Sequence, residues 1–306
     1  MDPLYVSRIA QIASVLEVSG YPKPGNVHRT RDFDDMVYED FLVSGIVIGD
    51  TMRLAARRGV DLRDSLDLSA IGLGELILRA VEDTGKWVST NTNLGIVMLL
   101  TPLSAAAGMV DEGDLQGLRE QVNRLILQTT PEDAVNLYRA ISAANPGGMG
   151  EHEGLDVNDP ASQQRILDEK ITLFDTLKMS SDWDLIAREL TSGMPVTFNV
   201  GFPVFKATVR EHGMNRAVVQ TFLTILARFP DTLIARKYDE KIAEEVSEEA
   251  AEIVDRGGVL TEAGLKRVER FDRKLHSSGL NPGTTADLTA SSIMVGLLDY
   301  FIQNTD

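Results

Sequence analysis

Apolar residues recur along this chain at helical spacing. Ile9, Ile12, Ala13 and Leu16 stand at i, i+3, i+4 and i+7, and the pattern returns at Leu73, Leu76, Ile77 and Ala80, at Ala134, Leu137, Tyr138 and Ile141, and at Trp183, Ile186, Ala187 and Leu190. Positions three and four apart share one face of a helix, so each run predicts an amphipathic helix. Leu115, Leu118, Val122 and Leu125 form a near-heptad stripe. Start signals agree: Thr130-Pro131-Glu132-Asp133 offers an N-cap, a proline at the first helical position and an acid at the third, and Asp231 and Thr261 can cap two later helices. The Glu- and Ala-rich stretch from Asp231 to Asp255, with Ile242, Val246 and Ile253 on one side, reads as a solvent-facing helix. Phe41 to Ala56 and Leu94 to Met109 are apolar nearly all round and predict two central helices. Alternation is scarce; Val196-Thr197-Phe198-Asn199-Val200, between Pro195 and Gly201, is the best strand candidate, and one short extended piece does not make a sheet. The expectation is an all-α fold: a single large multi-helix globular domain over residues 1–306 with central apolar helices.

Composition narrows the function. The formal charge of −16 argues against a broad nucleic-acid or anionic-membrane surface, since phosphate attracts Lys/Arg-rich faces. A small basic pocket remains compatible with it. With no cysteine there is no disulfide, thiolate metal site or thiol nucleophile, and His28, His152, His212 and His276 show no helical metal spacing, which argues against a zinc enzyme. The N-terminus lacks a basic stretch followed by an apolar one, and the most apolar run, Leu94 to Val110, contains Thr101, Pro102 and Ser104 and falls short of about 20 apolar residues. No membrane association and a cytoplasmic setting are expected. Homo-oligomerisation is left open.

The chemistry-bearing residues fall in four polar segments that interrupt the helices. In the first, Pro22 and Pro24 fix the chain around Lys23, Gly25 allows close backbone approach, Asn26 and His28 follow, Arg29 and Arg31 add charge, and Asp34-Asp35 closes the stretch. In an acidic protein this is a local anion site; a Pro-stiffened loop with solvated charges is the competing account. In the second, Asn91-Thr92-Asn93 precedes the apolar helix, whose free N–H groups suit phosphate or carboxylate, with plain N-capping as the alternative. The third, Asn145 to Gly154, is a flexible loop with Gly147, Gly148, Glu151, His152 and Glu153, more readily a solvated loop than a site. In the fourth, Asn281, Gly283 and Thr285 lead into the last helix, with Asp287 in its first turn, a common structural place for an acid.

Taken in order, these segments resemble the triphosphoribosyl-dephospho-CoA synthase family, whose members make the precursor of the citrate lyase or malonate decarboxylase prosthetic group. The likeness runs through Glu17-Val18 with Pro22-Lys23-Pro24-Gly25, Asp35-Met36, Asn91-Thr92 with Gly95, Pro146-Gly147 with Gly150-Glu151, Phe229-Pro230-Asp231-Thr232-Leu233, and Gly283 with Ala286-Asp287-Leu288. The resemblance implies a transferase that binds ATP or a related nucleotide, joins its ribose to a hydroxyl of dephospho-CoA or another small phosphorylated acceptor, and releases adenine with Mg²⁺ assistance. It implies phosphate or nucleotide contacts from Lys23, Gly25, Asn26, Arg29, Asn91, Thr92, Asn93, Gly147, Gly148, Asn281, Gly283 and Thr285, Mg²⁺ at Asp34, Asp35 and Asp287, and Glu17 or Glu151 as base.

The departures from that pattern carry information too. Where the family reads Asn-Thr-His-Lys-Gly, this chain has Asn93-Leu94, and Met149 replaces the arginine of Pro-Gly-Ala-Arg-Gly-Glu. Losing a phosphate partner in a desolvated site costs about 2–5 kcal/mol, so the alternatives of a different phosphorylated substrate, or of nucleotide or cofactor binding without turnover, stay open.

Overall fold

The structure is a computed structural model that describes residues 1–145 and 159–303. Helices are joined by loops along these residues, and the nearest approach to a sheet among them is two isolated backbone bridges, His28 with Arg31 and Phe33 with Met36. The expected all-α class holds. Contacts group the chain into two compact units, the first from Met1–Ile12 and Val43–Met194, the second from Ala13–Leu42 and from Pro195 onward.

The first unit is built on the apolar helix Leu94–Met109, in which only Gly95 and Met98 fall short of full burial. Helix Gly49–Asp61 packs against it through small residues. A Cβ on Gly59 would come within 2.0 Å of the Ala105 carbonyl oxygen, and one on Gly108 within 2.0 Å of that of Ala56, so the two backbones touch only because both side chains are absent. Thr130 and Asp133 form the expected capping box on helix Pro131–Ala144. Asp133 also accepts the Gly74 N–H at 2.8 Å, tying that cap to helix Leu73–Gly85. In helix Leu115–Leu127 the stripe of Leu118, Val122 and Leu125 is buried as its spacing predicts.

In the second unit helix Met214–Arg228 packs against Phe202–His212, Glu240–Asp255 and Gly283–Gln303. Its Val219, Phe222, Leu223 and Leu226 share one apolar core with Ile234, Val246, Ile253, Val268, Phe271 and Leu275. Asp231 and Thr261 cap helices Thr232–Lys237 and Glu262–Ser277, as their positions suggest.

Three sequence expectations are corrected. Phe41 to Ala56 is not one central helix: Tyr38–Val47 and Gly49–Asp61 are separate, and Ile46 is exposed. Gln11 donates to the Ile46 carbonyl at 2.6 Å, giving the backbone an outside partner where the helix pauses. The second buried helix is instead the C-terminal Gly283–Gln303, whose Thr285, Thr289, Ser291 and Ser292 hid it from an apolar-run criterion; the last three return their hydroxyls to carbonyls one turn back. The stretch Val196 to Val200 is no strand. Thr197–Gly201 is a π-helical turn, in which Thr197 Oγ1 meets Ser291 Oγ at 2.7 Å and a Cβ on Gly201 would meet Ser292 Oγ at 1.9 Å. Within the Asp231–Asp255 stretch, Asp239 caps a second helix, Glu240–Asp255, which buries Ala243, Val246, Ala250 and Ile253.

The close helix crossing gives a contrast between two glycines. Gly108→Val destabilises the protein by about 1–3 kcal/mol in urea unfolding, because the added carbons meet backbone that cannot yield. Gly85→Ala faces nothing within 4 Å and is neutral or stabilising, by up to about 1 kcal/mol.

Candidate functional site

The segment around Lys23 leaves helix Pro3–Ser19 and is held at several points within the second unit. Asn215 brackets Tyr21, accepting its N–H at 3.0 Å and donating to its carbonyl at 2.6 Å. Asp272, nearly buried in helix Glu262–Ser277, accepts the Gly25 N–H at 3.1 Å and takes Arg31 Nε at 3.3 Å. The buried His28 completes this clamp. Thr30 N–H donates to its Nδ1, which leaves the Nε2–H for Asp272, 3.4 Å away. Gly25 sits at φ 70°, and a Cβ there would meet the Leu280 carbonyl oxygen at 2.3 Å, so only glycine allows this loop to lie against the start of the fourth segment. Asn26 Nδ2 donates across the same contact to Asn281 Oδ1 at 2.8 Å.

The loop encloses a buried ion pair. Lys23, 0% exposed, donates to Glu17 Oε1 at 2.5 Å and to the Glu17 carbonyl at 3.0 Å; Glu17 is 1% exposed. The ammonium also lies 5.9 Å from the centre of the Phe222 ring. Burial pushes the Glu17 carboxyl up from the usual carboxylate range, with Lys23 acting against it. Burial pulls the Lys23 ammonium down, opposed by Glu17 and, more weakly, by Asp287. The two shifts run toward each other, a pattern common at functional sites and also found in structural pairs.

The fourth segment is positioned by Asp231. This fully buried carboxylate caps its own helix through the N–H groups of Leu233, at 2.9 Å, and Ile234, at 3.1 Å, and also accepts the Thr285 N–H at 2.7 Å and hydroxyl at 2.8 Å. One acid thus fixes the first turn of helix Gly283–Gln303; Asp287 sits half-buried just beyond that turn, not in it as the sequence suggested, because the helix begins at Gly283. Gly283 packs against Leu233, within 2.5 Å of which a Cβ would fall.

The structure therefore brings Glu17, Lys23, Gly25, Asn26, Asn281, Gly283, Thr285 and Asp287 together within the second unit; the other sequence candidates lie on that unit's surface, in the first unit or outside the described residues. Arg29 is exposed, 5.5 Å from the Tyr21 ring centre. Asp34 and Asp35 form the exposed tip of a turn closed by Phe33 and Met36. Asn91, Thr92 and Asn93 belong to the first unit, where they serve local structure. Asn91 Oδ1 accepts the Leu94 N–H at 3.1 Å, Thr92 Oγ1 meets Ser44 Oγ at 2.5 Å, and Asn93 Nδ2 donates to Thr84 Oγ1 at 3.1 Å. Gly147, Gly148 and Glu151 lie outside the described residues. Among the described residues no three His, Cys, Asp or Glu side chains gather as a metal cluster.

Three contributors escaped the site reading of the sequence. Asp231 carried a visible signal, an N-cap inside a motif, but one that pointed to capping alone. Asp272 lies in the charged run of helix Glu262–Ser277 and Asn215 in the first turn of Met214–Arg228, where neither spacing nor composition singles them out.

Comparison with known proteins agrees with the family resemblance read from the sequence. Residues 3–305 match the family model described as ATP:dephospho-CoA triphosphoribosyl transferase. A 2-(5''-triphosphoribosyl)-3'-dephosphocoenzyme-A synthase from Escherichia fergusonii is 33% identical over 103 residues, 33% of this chain and 34% of that protein. A probable synthase of the same name from Salmonella choleraesuis is 26% identical over 209 residues, 64% of this chain and 66% of that one. The alignments thus span from about a third to just under two thirds of these curated relatives. The crystal structure of a proposed triphosphoribosyl-dephospho-CoA synthase from Archaeoglobus fulgidus superposes with a TM-score of 0.64 at 27% identity, covering 86% of this chain and 98% of that one. Among the described residues no helix is long and apolar enough to cross a membrane.

The buried pair makes a prediction about coupling. Lys23→Met strands a buried carboxylate and lowers stability by about 3–5 kcal/mol in urea unfolding, whereas the double variant Glu17→Leu/Lys23→Met, with no charge left to desolvate, recovers most of the loss.

Proposed function

This chain belongs to the ATP:dephospho-CoA triphosphoribosyl transferase family, and on that premise we propose that it transfers the triphosphoribosyl group of ATP to a hydroxyl of dephospho-CoA, or of a related phosphorylated acceptor, and releases adenine. The observation that carries this reading is the convergence of two family-pattern segments, the Lys23 loop and the start of helix Gly283–Gln303, around a buried carboxylate–ammonium pair.

In the proposed step the bond between the ribose anomeric carbon and adenine breaks, and its electron pair leaves with the base. A bond forms from the acceptor oxygen to the same carbon. Glu17 takes the acceptor's hydroxyl proton, and adenine gains one from solvent, so charge balances. Lys23 supplies the cation for the phosphates, while the N–H groups of Gly283, Thr285 and Ala286 at the start of the last helix are committed to Asn281, Asp231 and Pro282 and serve to position the segment. Mg²⁺ bound with the polyphosphate supplies charge neutralisation. Asp34, Asp35 or Asp287 would offer a carboxylate to an ion that arrives on its phosphate ligand, since Mg²⁺ is commonly held by one or two carboxylates plus substrate oxygens. A cytoplasmic setting, where ATP is abundant, belongs to the same proposal.

One observation favours a second reading. Leu94, at the place of the family lysine, is buried, and Asn93 beside it is spent on Thr84, so the Asn91 segment offers no cation of its own there. An acceptor or donor with fewer phosphates accommodates that loss.

Incubation with ATP, dephospho-CoA and Mg²⁺, followed by chromatography, is expected to show free adenine; its absence under conditions where ATP raises the melting temperature overturns the transferase reading in favour of binding without turnover. Lys23→Met lowers turnover by about two to four decades while the protein stays folded. The base must be ionised to act, so the rate falls as pH drops through the raised Glu17 value, and this acid limb is absent from the residual activity of Glu17→Gln.

A further inference from the structure

Lys23 and Glu17 are more than two separate members of the site. Each is almost completely buried, and the Lys23 ammonium donates two hydrogen bonds to Glu17, one to the carboxylate and one to the carbonyl in the last turn of helix Pro3–Ser19. The pair is not what holds the loop. Tyr21 is bracketed by Asn215, Gly25 and Arg31 are taken by Asp272, and Asn26 is bonded to Asn281, all without Lys23. A buried ion pair in an otherwise anchored loop adds little stability, because desolvation offsets most of the attraction. What the anchors do provide is a frame that holds the loop without calling on the Lys23 ammonium.

We propose that the Glu17–Lys23 pair is a ligand-operated latch: an incoming polyphosphate takes the Lys23 ammonium, and only then is the Glu17 carboxylate released to accept a proton from the acceptor hydroxyl. The inference rests on the reading of the Lys23 loop as a polyphosphate site and adds an order of events to it. The ammonium has three donors, of which Glu17 occupies two. A polyphosphate brings several charged oxygens and competes with one carboxylate for them. Asp287, on the opposite segment, also acts on the ammonium, and the Phe222 ring lies near it. Before the ligand arrives, Glu17 is neutralised and covered, so the base does not accept the proton of a stray water or acceptor. The latch makes acceptor activation conditional on donor binding.

The sign of one effect separates this from a structural staple. If Glu17 competes with the ligand for Lys23, Glu17→Gln binds inorganic tripolyphosphate about tenfold or more tightly than the unmodified protein, although it has lost the proposed base. A staple predicts equal or weaker binding. Removing any nearby negative charge also helps an anion, so the measurement is made again in the Lys23→Met background. There the latch predicts that Glu17→Gln no longer tightens binding, whereas a general field effect persists at the same size. Calorimetric titration of the four proteins with tripolyphosphate, each checked by thermal melting, gives the cycle. Glu17→Asp, which keeps the charge but draws it back by one methylene, shows the same sign at smaller size and serves where Glu17→Gln does not fold. Unchanged or weaker binding in the folded Glu17 variants, tightening that survives Lys23→Met, or no tripolyphosphate binding to any of the proteins overturns the latch. Adenine release by the unmodified protein tests the transferase reading separately, so either can fail while the other stands.

Discussion

An ammonium that no water reaches must have a carboxylate at contact distance, and the burial of Lys23 against Glu17 sets the terms for the surrounding structure. The carboxylate comes from the last turn of a helix and the ammonium from the loop that follows, so the loop must fold back on its own helix end. That reversal is placed by Pro22 and Pro24 and held by groups far away in sequence, Asn215, Asp272 and Asn281. Gly25 then permits the loop backbone to approach Leu280 more closely than any side chain would allow.

The second unit satisfies its other buried acids by the same logic. Asp231 receives four donors from two helix starts, and Asp272 accepts an amide, meets an imidazole and forms an ion pair with a guanidinium. Each carboxylate stays buried because its partners are fixed in number and direction. The consequence is an arrangement in which the loop and the first turn of the last helix are set by partners other than the Lys23 ammonium. Positioning and chemistry are divided between different residues.

The two units also differ in how they use polar residues. In the first, Asn91, Thr92 and Asn93 are absorbed in capping and in short contacts with Ser44 and Thr84, which is the ordinary fate of such residues ahead of a helix. In the second, hydroxyls along helix Gly283–Gln303 turn back on its own carbonyls and meet the π-helical turn Thr197–Gly201, allowing a polar helix to be buried without orphaned groups.

Helical spacing, capping residues and the order of short motifs were enough to determine the all-α class, the capped helix starts at Thr130, Asp231 and Thr261, the buried helix Leu94–Met109 and the family, because each depends on residues near one another in the chain. Candidate site residues such as Lys23, Glu17 and Asp287 were visible for the same reason. Only tertiary structure decided their partners. The sequence shows a lysine among arginines and suggests an open anion site; the fold turns that lysine inward onto Glu17 and gives Arg31 to Asp272. Likewise Val196 to Val200 alternates like a strand, but close approach to Ser291 and Ser292 makes it a π-helical turn. A charge on a loop faces water or a buried carboxylate according to contacts made by residues some two hundred positions away, and local pattern holds no record of them.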